Sequence, residues 1–173
     1  MKGVIAMCLA ELVESKFGKA QLETVLEKSG IDKFTRFLPS QDIPDDKIMN
    51  VVKNAGEILK MSMPQLADAF GDYWVNTFAP KIYKTYYNQA TSAKEFITKM
   101  DSVHISVTQN IANSHPPRFE YCWKNEKTVE IMYKSQRKMI VFLIGLIKGV
   151  GKRFNERLSV VQLSDDKLQV TFP

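Results

Sequence analysis

The sequence predicts an α+β fold in which a helical N-terminal part packs on a small antiparallel sheet, with one long helix between the hairpins of that sheet. Over roughly the first two thirds of the chain, apolar residues recur at spacings of three and four, which is the helical period. In two later stretches they alternate with other residues, which is the strand period. Between these patterns stand Pro116 and Pro117, whose rings exclude a helix interior. We expect residues 1–173 to form one domain.

Five helices are expected before the two prolines. Gly18 and Gly30 are suited to end the first two, because glycine readily adopts the left-handed backbone that closes many helices. Pro44 and the two carboxylates after it suit the first turn of the third helix. In the fourth, we expect Pro80 to stop the helix. The five helices begin near Val4, Leu22, Pro44, Met63 and Ser92 and end near Gly18, Gly30, Leu59, Pro80 and Ile111.

Two hairpins and one more helix are expected after the prolines. The first hairpin comprises Phe119 to Trp123 and Val129 to Tyr133, in which apolar and aromatic side chains alternate. The second comprises Leu158 to Leu163 and Leu168 to Phe172. Between the hairpins, Met139 to Phe154 is strongly apolar and predicts a buried helix.

The charge pattern argues against a nucleic-acid or membrane partner. The chain carries 24 lysines and arginines against 19 aspartates and glutamates, a net charge of +5, but the basic residues form no run. The longest apolar segment, Met139 to Ile147, is about half of the roughly 20 residues that span a bilayer. Because Glu11 and Glu14 interrupt the first apolar segment, no secretory signal is predicted. We expect a cytoplasmic protein.

The two cysteines, Cys8 and Cys122, are too few for a disulfide framework or a four-cysteine metal site. Both have apolar or aromatic neighbours in the sequence. We therefore expect both to be buried as small hydrophobic residues rather than to act as reactive thiols.

Only two histidines are present, so histidine-dependent chemistry must use His104 or His115. His115 precedes the prolines, and we expect it in a solvated loop. His104 shares one face of the fifth helix with Met100, Val107 and Ile111, which places an imidazole in an apolar stripe. Two interpretations remain open: a core histidine bonded to a backbone carbonyl, or a haem ligand whose apolar neighbours lie against the porphyrin. Zinc is disfavoured because no second histidine or cysteine lies at a usable spacing.

A second group of polar side chains lies in the segment from Tyr133 to Arg137. In an extended backbone, residues two apart project from the same side, so Tyr133, Ser135 and Arg137 would present two hydroxyls and a guanidinium together. This trio suits a phosphate or a pair of carboxylates, for which arginine is a bidentate donor. The two propionates of a buried haem would need such partners, because an unpaired buried charge is costly.

With these features the sequence resembles the haem nitric oxide/oxygen-binding (H-NOX) domains, specifically the bacterial stand-alone relatives of the haem domain of soluble guanylate cyclase. The resemblance covers essentially the full length, and its most specific part is the Tyr-x-Ser-x-Arg motif together with the upstream histidine. The segments that carry it are Met1-Lys2-Gly3, Asp101 to His104, Pro116-Pro117-Arg118, Tyr133 to Met139 and Phe142 to Leu146.

The resemblance implies the H-NOX fold, a b-type haem and a role for each matching residue. His104 would be the proximal iron ligand, and Tyr133, Ser135 and Arg137 would hold the propionates. Pro117 matches the proline that presses on the porphyrin and distorts it. Met100 belongs to the apolar stripe that would lie against the ring. The residues expected to line the rest of the haem cavity are Ile5, Leu9, Trp74, Phe78, Phe142 and Leu146.

The same resemblance implies a preference among gaseous ligands. Oxygen-binding members carry a tyrosine donor at the position of Phe142, and bound dioxygen gains more than nitric oxide does from a hydrogen bond. The site is therefore expected to bind nitric oxide and carbon monoxide and to exclude stable oxygen binding. The alternative is an oxygen sensor in which the indole of Trp74 supplies the donor.

A sensor that signals to a separate protein, rather than an enzyme, is the expected function. The chain carries no kinase or cyclase sequence, and the resemblance implies a histidine kinase or a cyclic-di-GMP enzyme as the partner. Two rival functions remain open. A peroxidase is weakened by the lack of a distal histidine and arginine pair, and a basic helical interaction module without cofactor would show no haem absorption.

Overall fold

The computed structural model describes residues 1–173 and confirms the α+β class, with a helical N-terminal part and a four-stranded antiparallel sheet. The helices are α1 (Gly3–Phe17), α2 (Lys19–Lys28), α3 (Asp45–Leu59), α4 (Met63–Tyr73), α5 (Ala79–Ile82), α6 (Lys84–Tyr87), α7 (Ala93–Thr98), α8 (Met100–Thr108) and α9 (Ile140–Arg153). The strands are β1 (Arg118–Trp123), β2 (Thr128–Lys134), β3 (Ser159–Gln162) and β4 (Lys167–Thr171). A π-helical segment, Trp74–Phe78, joins α4 to α5.

The sheet consists of the two predicted hairpins, paired side by side in the order β1-β2-β4-β3. Between the hairpins, α9 carries the chain from the central strand β2 to the edge strand β3. Alternate side chains of β2 and β4, including Val129, Ile131 and Leu168, are fully buried on one face of the sheet. The period-two pattern therefore predicted both the strands and the face that is buried.

Pro80 does not stop the fourth helix, contrary to the expectation from the sequence. The helix widens into a π turn at Trp74–Phe78, where the amide of Ala79 donates to the carbonyl of Trp74, five residues earlier. The chain then resumes an α-helix in which Pro80 occupies the first turn. A proline is tolerated there because the first turn of a helix leaves its amides without intrahelical partners.

The predicted helix from Ser92 to Ile111 is two helices. The hydroxyl of Ser92 accepts the Glu95 amide, as expected of an N-cap, but the chain turns at Lys99 between α7 and α8. Beyond Thr108 the backbone is a turn and not a helix. The turn at Lys99 matters for function because it sets the direction of α8, which carries His104.

Two separate cores form, one on each side of the molecule. The first is built from α1 to α4 around side chains such as Leu12, Ile48 and Leu66. The second lies between the sheet and α7 and α9. Helix α9 belongs to both, because Phe142 packs in the first core and Ile147 in the second.

Glycine allows α4 and α9 to cross at very short range. A Cβ atom added to Gly71 would lie 2.1 Å from the backbone of Gly145, and one added to Gly145 would lie 2.1 Å from the carbonyl oxygen of Ala67. Lys148 bonds both oxygens of Asp68 at 2.8 and 2.9 Å beside this crossing. The two cores are thus joined along a backbone-to-backbone contact.

The two cysteines differ in environment. Cys8 is buried, as expected, and burial raises the pKa of its thiol. Cys122 is exposed, so the expectation that it is buried was wrong. It lies in the edge strand β1, between Tyr121 and Trp123 in sequence, and alternation turns it away from the face that packs inward. No helix has both the length and the apolar character to cross a bilayer.

Candidate haem site between the two cores

A cavity of about 460 Å³ lies between the two cores, within the size range of cofactor pockets. The lining is mostly apolar. The structure brings together eleven of the twelve predicted site residues in this lining: Ile5, Leu9, Trp74, Met100, His104, Pro117, Tyr133, Ser135, Arg137, Phe142 and Leu146.

Phe78 is the exception. It does not line the cavity but is buried in the first core, with its ring stacked on that of Trp74 at a centroid distance of 5.6 Å. The two residues lie at the ends of the π-helical segment. Phe78 therefore supports the cavity wall from behind Trp74, and its predicted contact with haem stays a prediction.

Helix α8 forms one wall of the cavity and has no buried residue, although it carries the predicted apolar stripe. Met100, Val103, His104 and Val107 all face the cavity. An apolar helix face that the protein covers only in part fits an apolar cofactor lying against it.

The imidazole of His104 is oriented by one hydrogen bond. Its Nδ1 lies 3.0 Å from the carbonyl oxygen of Pro117. Because a carbonyl only accepts, Nδ1 carries the proton, and Nε2 keeps a free lone pair on the cavity side with no protein partner. Burial lowers the pKa of His104, so the ring stays neutral at physiological pH. A neutral imidazole with a free Nε2 is the form that binds iron.

Asp101, one turn before His104 on α8, ties this helix to β1. Its carboxylate accepts two hydrogen bonds from the guanidinium of Arg118, at 2.7 and 2.8 Å, and one from the amide of Phe119 at 2.9 Å. These bonds hold the pKa of Asp101 at about 2. Asp101 and Arg118 lie in segments that carry the family resemblance, but the sequence predicted no role for either. The sequence signal that could have indicated a role is their position: Asp101 lies three residues before His104, and Arg118 directly follows Pro117.

The polar edge of the cavity is formed by Tyr133, Ser135 and Arg137, but not by the predicted extended segment. Strand β2 ends at Lys134, and the chain turns so that the amide of Arg137 donates to the Ser135 hydroxyl at 3.2 Å. Tyr133 is buried, and its hydroxyl has no hydrogen-bond partner in the protein. The turn, rather than strand alternation, directs the three side chains to one place.

Arg137 connects this polar edge to the helical part of the molecule. One terminal nitrogen donates to the carbonyl of His115 at 2.9 Å, and Nε lies 2.8 Å from Oδ2 of Asp45, at the start of α3. The Nε–H is not aimed at that carboxylate, so the buried Nε is left without a hydrogen-bond partner. Asp45 is therefore the anionic group beside Nε, and the remaining N–H groups of the guanidinium can bind a second anion at this edge. Nothing in the sequence pointed to Asp45, because it pairs across the fold.

The opposite wall of the cavity is aromatic. Phe70 stacks on Trp74 at a centroid distance of 5.9 Å and meets Phe142 edge-on at 5.6 Å. Ile5, Leu9 and Leu146 complete this wall, as predicted. The indole of Trp74 carries the one N–H donor among these six side chains, and it bonds no protein atom.

The remaining histidine, His115, is exposed at the polar edge, where its carbonyl accepts from Arg137. No three histidine, cysteine, aspartate or glutamate residues come together as a metal site. Haem needs only one protein ligand, because the porphyrin supplies four nitrogen ligands, so a single histidine on the cavity wall suits it.

The sequence profile of the family described as "Haem-NO-binding" matches residues 2–162 of the chain. The chain belongs to this family. Haem b is its cofactor, and as an H-NOX domain it is a haem-binding gas sensor related to soluble guanylate cyclase.

Solved H-NOX structures share the fold over nearly the whole chain. An oxygen-binding H-NOX domain in its oxygen complex is 24% identical and covers 99% of this chain and 95% of its own, with a TM-score of 0.85. A mutant of the Cs H-NOX protein is 24% identical over 99% of this chain and 96% of its own, with a TM-score of 0.89. A mutant of T. tengcongensis H-NOX is 25% identical over 99% and 97%, with a TM-score of 0.86.

A curated relative is the "Soluble guanylate cyclase gcy-37" of Caenorhabditis elegans, which is 22% identical over 156 residues. The match covers 88% of this chain but only 22% of the relative. This H-NOX domain thus corresponds to about a fifth of that larger protein.

The residues of this H-NOX domain fit haem at three points. His104 offers a free Nε2 on an otherwise apolar wall. Arg137, Ser135 and Tyr133 place a guanidinium and two hydroxyls at the polar edge. The apolar walls formed by α8 and the aromatic side chains match the faces of a porphyrin. The apolar faces, the basic edge and the single nitrogen ligand correspond to the three chemically distinct parts of haem.

Proposed function

We propose that residues 1–173 act as one haem-binding domain that senses nitric oxide, and also binds carbon monoxide, at ferrous haem b. His104 is the proximal iron ligand through Nε2. Tyr133, Ser135 and Arg137 bind the propionates, and Pro117 presses on the porphyrin. The observation that carries the ligand preference is the aromatic wall, in which Phe142 packs edge-on against Phe70 and offers no hydrogen-bond donor.

The choice of ligand follows from what this wall can donate. Bound dioxygen carries partial negative charge and is stabilised by a hydrogen bond, whereas nitric oxide gains much less. Ile5, Leu9, Phe70, Phe142 and Leu146 can offer only dispersion contacts. A pocket of this kind selects ligands that do not need a hydrogen bond.

When bound, haem would supply a ferrous iron that can take up a diatomic gas. The protein converts binding into a structural change through His104. Nδ1 of His104 bonds the Pro117 carbonyl, and Asp101 bonds the Phe119 amide, so both residues join α8 to the start of β1. A change at Nε2 would therefore reach α8 and Pro117 together. Because α8 faces the first core across the cavity, relaxation of α8 and Pro117 lets the helical part shift relative to the sheet. Two such arrangements with different gas affinities are what allosteric signalling requires.

The signal is delivered to a separate protein, for which a histidine kinase or a cyclic-di-GMP enzyme is the proposed partner. Support comes from the family resemblance and from membership of a sensor family whose curated relative is a cyclase. The test is the activity of a purified candidate enzyme with the ferrous protein, its carbon monoxide form and its nitric oxide form. An enzyme whose activity is the same with all three forms is not the partner.

The ligand preference is tested by absorption spectroscopy of the anaerobically reduced protein. Nitric oxide and carbon monoxide should each shift the Soret band, and air should produce slow oxidation without a stable oxygen complex. A stable oxygen complex in the unchanged protein would contradict the proposed selectivity.

A second candidate function, oxygen sensing, is favoured by one observation: Trp74, whose indole carries an N–H donor, lines the cavity. Trp74→Phe separates the two functions. If an oxygen complex forms in the unchanged protein and is lost in Trp74→Phe, the domain is an oxygen sensor with Trp74 as its donor. A peroxidase is disfavoured because His115 and Arg137 lie at the polar edge and not on the aromatic wall.

A further inference from the structure

We infer that Asp101 and Arg118 form a positioning pair that fixes the Pro117 carbonyl and thereby sets how strongly His104 donates to iron. The inference rests on the proposed function in one respect, the assignment of His104 as the iron ligand. Neither Asp101 nor Arg118 lines the cavity, so the pair acts on the site through the backbone between them.

The pair has the geometry of a rigid clamp. Oδ1 of Asp101 accepts from Nε of Arg118 at 2.8 Å, and Oδ2 accepts from a terminal nitrogen at 2.7 Å. Parallel bonds of this kind fix the relative orientation of both groups, because carboxylate and guanidinium are planar. Oδ1 also accepts the backbone amide of Phe119 at 2.9 Å. Asp101 therefore holds a side chain and a backbone group of the same strand.

These bonds bracket the group that orients the histidine. Pro117 immediately precedes Arg118, and its carbonyl accepts from Nδ1 of His104 at 3.0 Å. Asp101 and His104 are one turn apart on α8, and Pro117 and Phe119 are two residues apart at the start of β1. Two sets of hydrogen bonds thus connect α8 to β1: those of Asp101, here called the carboxylate rung, and that of His104 to Pro117, the imidazole rung. The carboxylate rung fixes the spacing at which the imidazole rung forms.

The imidazole rung controls the iron ligand. A histidine that donates its second N–H to a well-placed acceptor becomes a more basic ligand, and its ring is held in one orientation. If the carboxylate rung is removed, the Pro117 peptide is free to move away from Nδ1. The His104 bond to iron then weakens, and Pro117 presses less firmly on the porphyrin.

The exposure of the pair indicates why a positioning role fits better than a general contribution to stability. The Arg118 side chain is 51% exposed and the Asp101 side chain 21%. Ion pairs this accessible to water contribute little to folding by themselves. Their value lies in the fixed geometry, which the Phe119 amide and the Pro117 carbonyl transmit to the site.

The test compares Asp101→Ala and Arg118→Gln with Glu120→Gln in the ferrous holoprotein. Glu120 pairs with Lys134 on the outer face of the same strand, so its substitution removes an exposed ion pair without touching Pro117. The measurements are the iron–histidine stretching frequency by resonance Raman, the haem dissociation rate and hydrogen exchange of the Phe119 amide.

Both site variants should lower the stretching frequency, speed haem loss by about 10- to 100-fold and, for Asp101→Ala, expose the Phe119 amide to exchange. Arg118→Lys should restore part of the frequency, because it keeps the charge but loses the fork geometry. Glu120→Gln should match the unchanged protein. If Asp101→Ala does not fold, Arg118→Gln carries the test, since it leaves the Phe119 bond in place.

An unchanged stretching frequency in Arg118→Gln, or an equal shift in Glu120→Gln, overturns the inference. Failure of the proposed function looks different. In that case the unchanged protein shows no iron–histidine band that His104→Gly removes. Faster exchange of the Phe119 amide in Asp101→Ala would then show a connection between α8 and β1 that does not act on iron.

Discussion

His104 makes one hydrogen bond through Nδ1, which leaves Nε2 available to bind a ligand. His104→Gly should abolish the five-coordinate ferrous absorption spectrum, because the other histidine of the lining, His115, lies at the exposed polar edge. Added free imidazole should restore the spectrum by filling the space left behind. The matched variant His115→Ala removes the other histidine and should leave the spectrum unchanged, and loss of the spectrum in that variant would contradict the assignment.

Arg137 has a buried Nε without a hydrogen-bond partner in the protein. Arg137→Ala should weaken haem retention by about 1.5–3 kcal/mol, the scale of a hydrogen bond to a charged group. Transfer of haem to apomyoglobin measures this loss. Gln136→Ala, an exposed neighbour in the same turn, is the control. Equal transfer rates for the two variants would count against a propionate-binding role for Arg137.

Phe142 lines the cavity at the position where the family resemblance implies a tyrosine donor in oxygen-binding members. Phe142→Tyr adds a hydroxyl to the wall, and we expect the ferrous variant to hold oxygen long enough for an oxygen spectrum in air. The added hydroxyl must remain free to donate. A variant that folds, binds carbon monoxide and still forms no oxygen complex would show that the wall controls more than hydrogen bonding.

Much of the site could be predicted from single residues, and the exceptions have physical causes. His104 stood out because a polar ring interrupted an apolar stripe, and that stripe faces the cavity. Asp45 could not be found because its partner Arg137 is distant in sequence and the pairing depends on the fold. Phe78 has the same apolar character as the lining residues, and only the local backbone decides that it lies behind Trp74.

At the scale of the element, the crossing of α4 and α9 depends on Gly71 and Gly145, which have no side chain. Gly145→Ala would place a Cβ 2.1 Å from the carbonyl oxygen of Ala67, so one backbone must move. We expect a loss of about 1–3 kcal/mol in the free energy of unfolding, as for other overpacked cores. Denaturant unfolding measures it.

The matched control for this prediction is Gly56→Ala in α3, where the new Cβ would lie 3.2 Å from the carbonyl oxygen of Met61. Alanine also favours helix by about 1 kcal/mol over glycine. The free energy of unfolding of the control should therefore lie within about 1 kcal/mol of that of the unchanged protein. Similar losses in both variants would mean that the crossing tolerates a larger separation than the structure indicates.

Helix lengths were less predictable than helix positions. Hydrophobic periodicity counts residues at 3.6 per turn, so it cannot reveal the extra residue of the π turn at Trp74–Phe78. The same periodicity predicted one unbroken helix through Lys99, because the apolar stripe of α8 continues that of α7 across a change in direction. Both deviations border the cavity. Local sequence predicts regular elements well and fails where the backbone is shaped around a site.

At the scale of the whole molecule, carboxylates tie the helical part and α8 to the rest. Asp42 bonds Lys2 and the side chain of Asn113, and these bonds lower its pKa. Burial raises the pKa of Asp45, but the hydrogen bond from the amino group of Met1 and the nearby positive charge of Arg137 lower it further. The Arg118 guanidinium holds the pKa of Asp101 at about 2.

Each of these groups has a folded-state pKa below its ordinary value of about 3.9, so its contribution to stability is complete above that value. The contribution should be lost as the pH falls from about 4 toward about 2, where Asp101 takes up its proton. Urea unfolding at pH 5, 4 and 3 should show a falling free energy. Asp101→Asn should start lower at pH 5 and fall less steeply, and a variant that falls as steeply as the unchanged protein would exclude Asp101 from the effect.

The cavity separates two cores that touch mainly where α4 crosses α9. A haem bound in this cavity would fill the space between the cores and, because it binds the folded protein, would raise the free energy of unfolding. Without haem, the cores should stay joined through α9, but the protein should unfold at a lower temperature. In a cell short of haem, proteases that remove partly folded chains would then degrade more of this protein, and sensor abundance would follow cofactor supply.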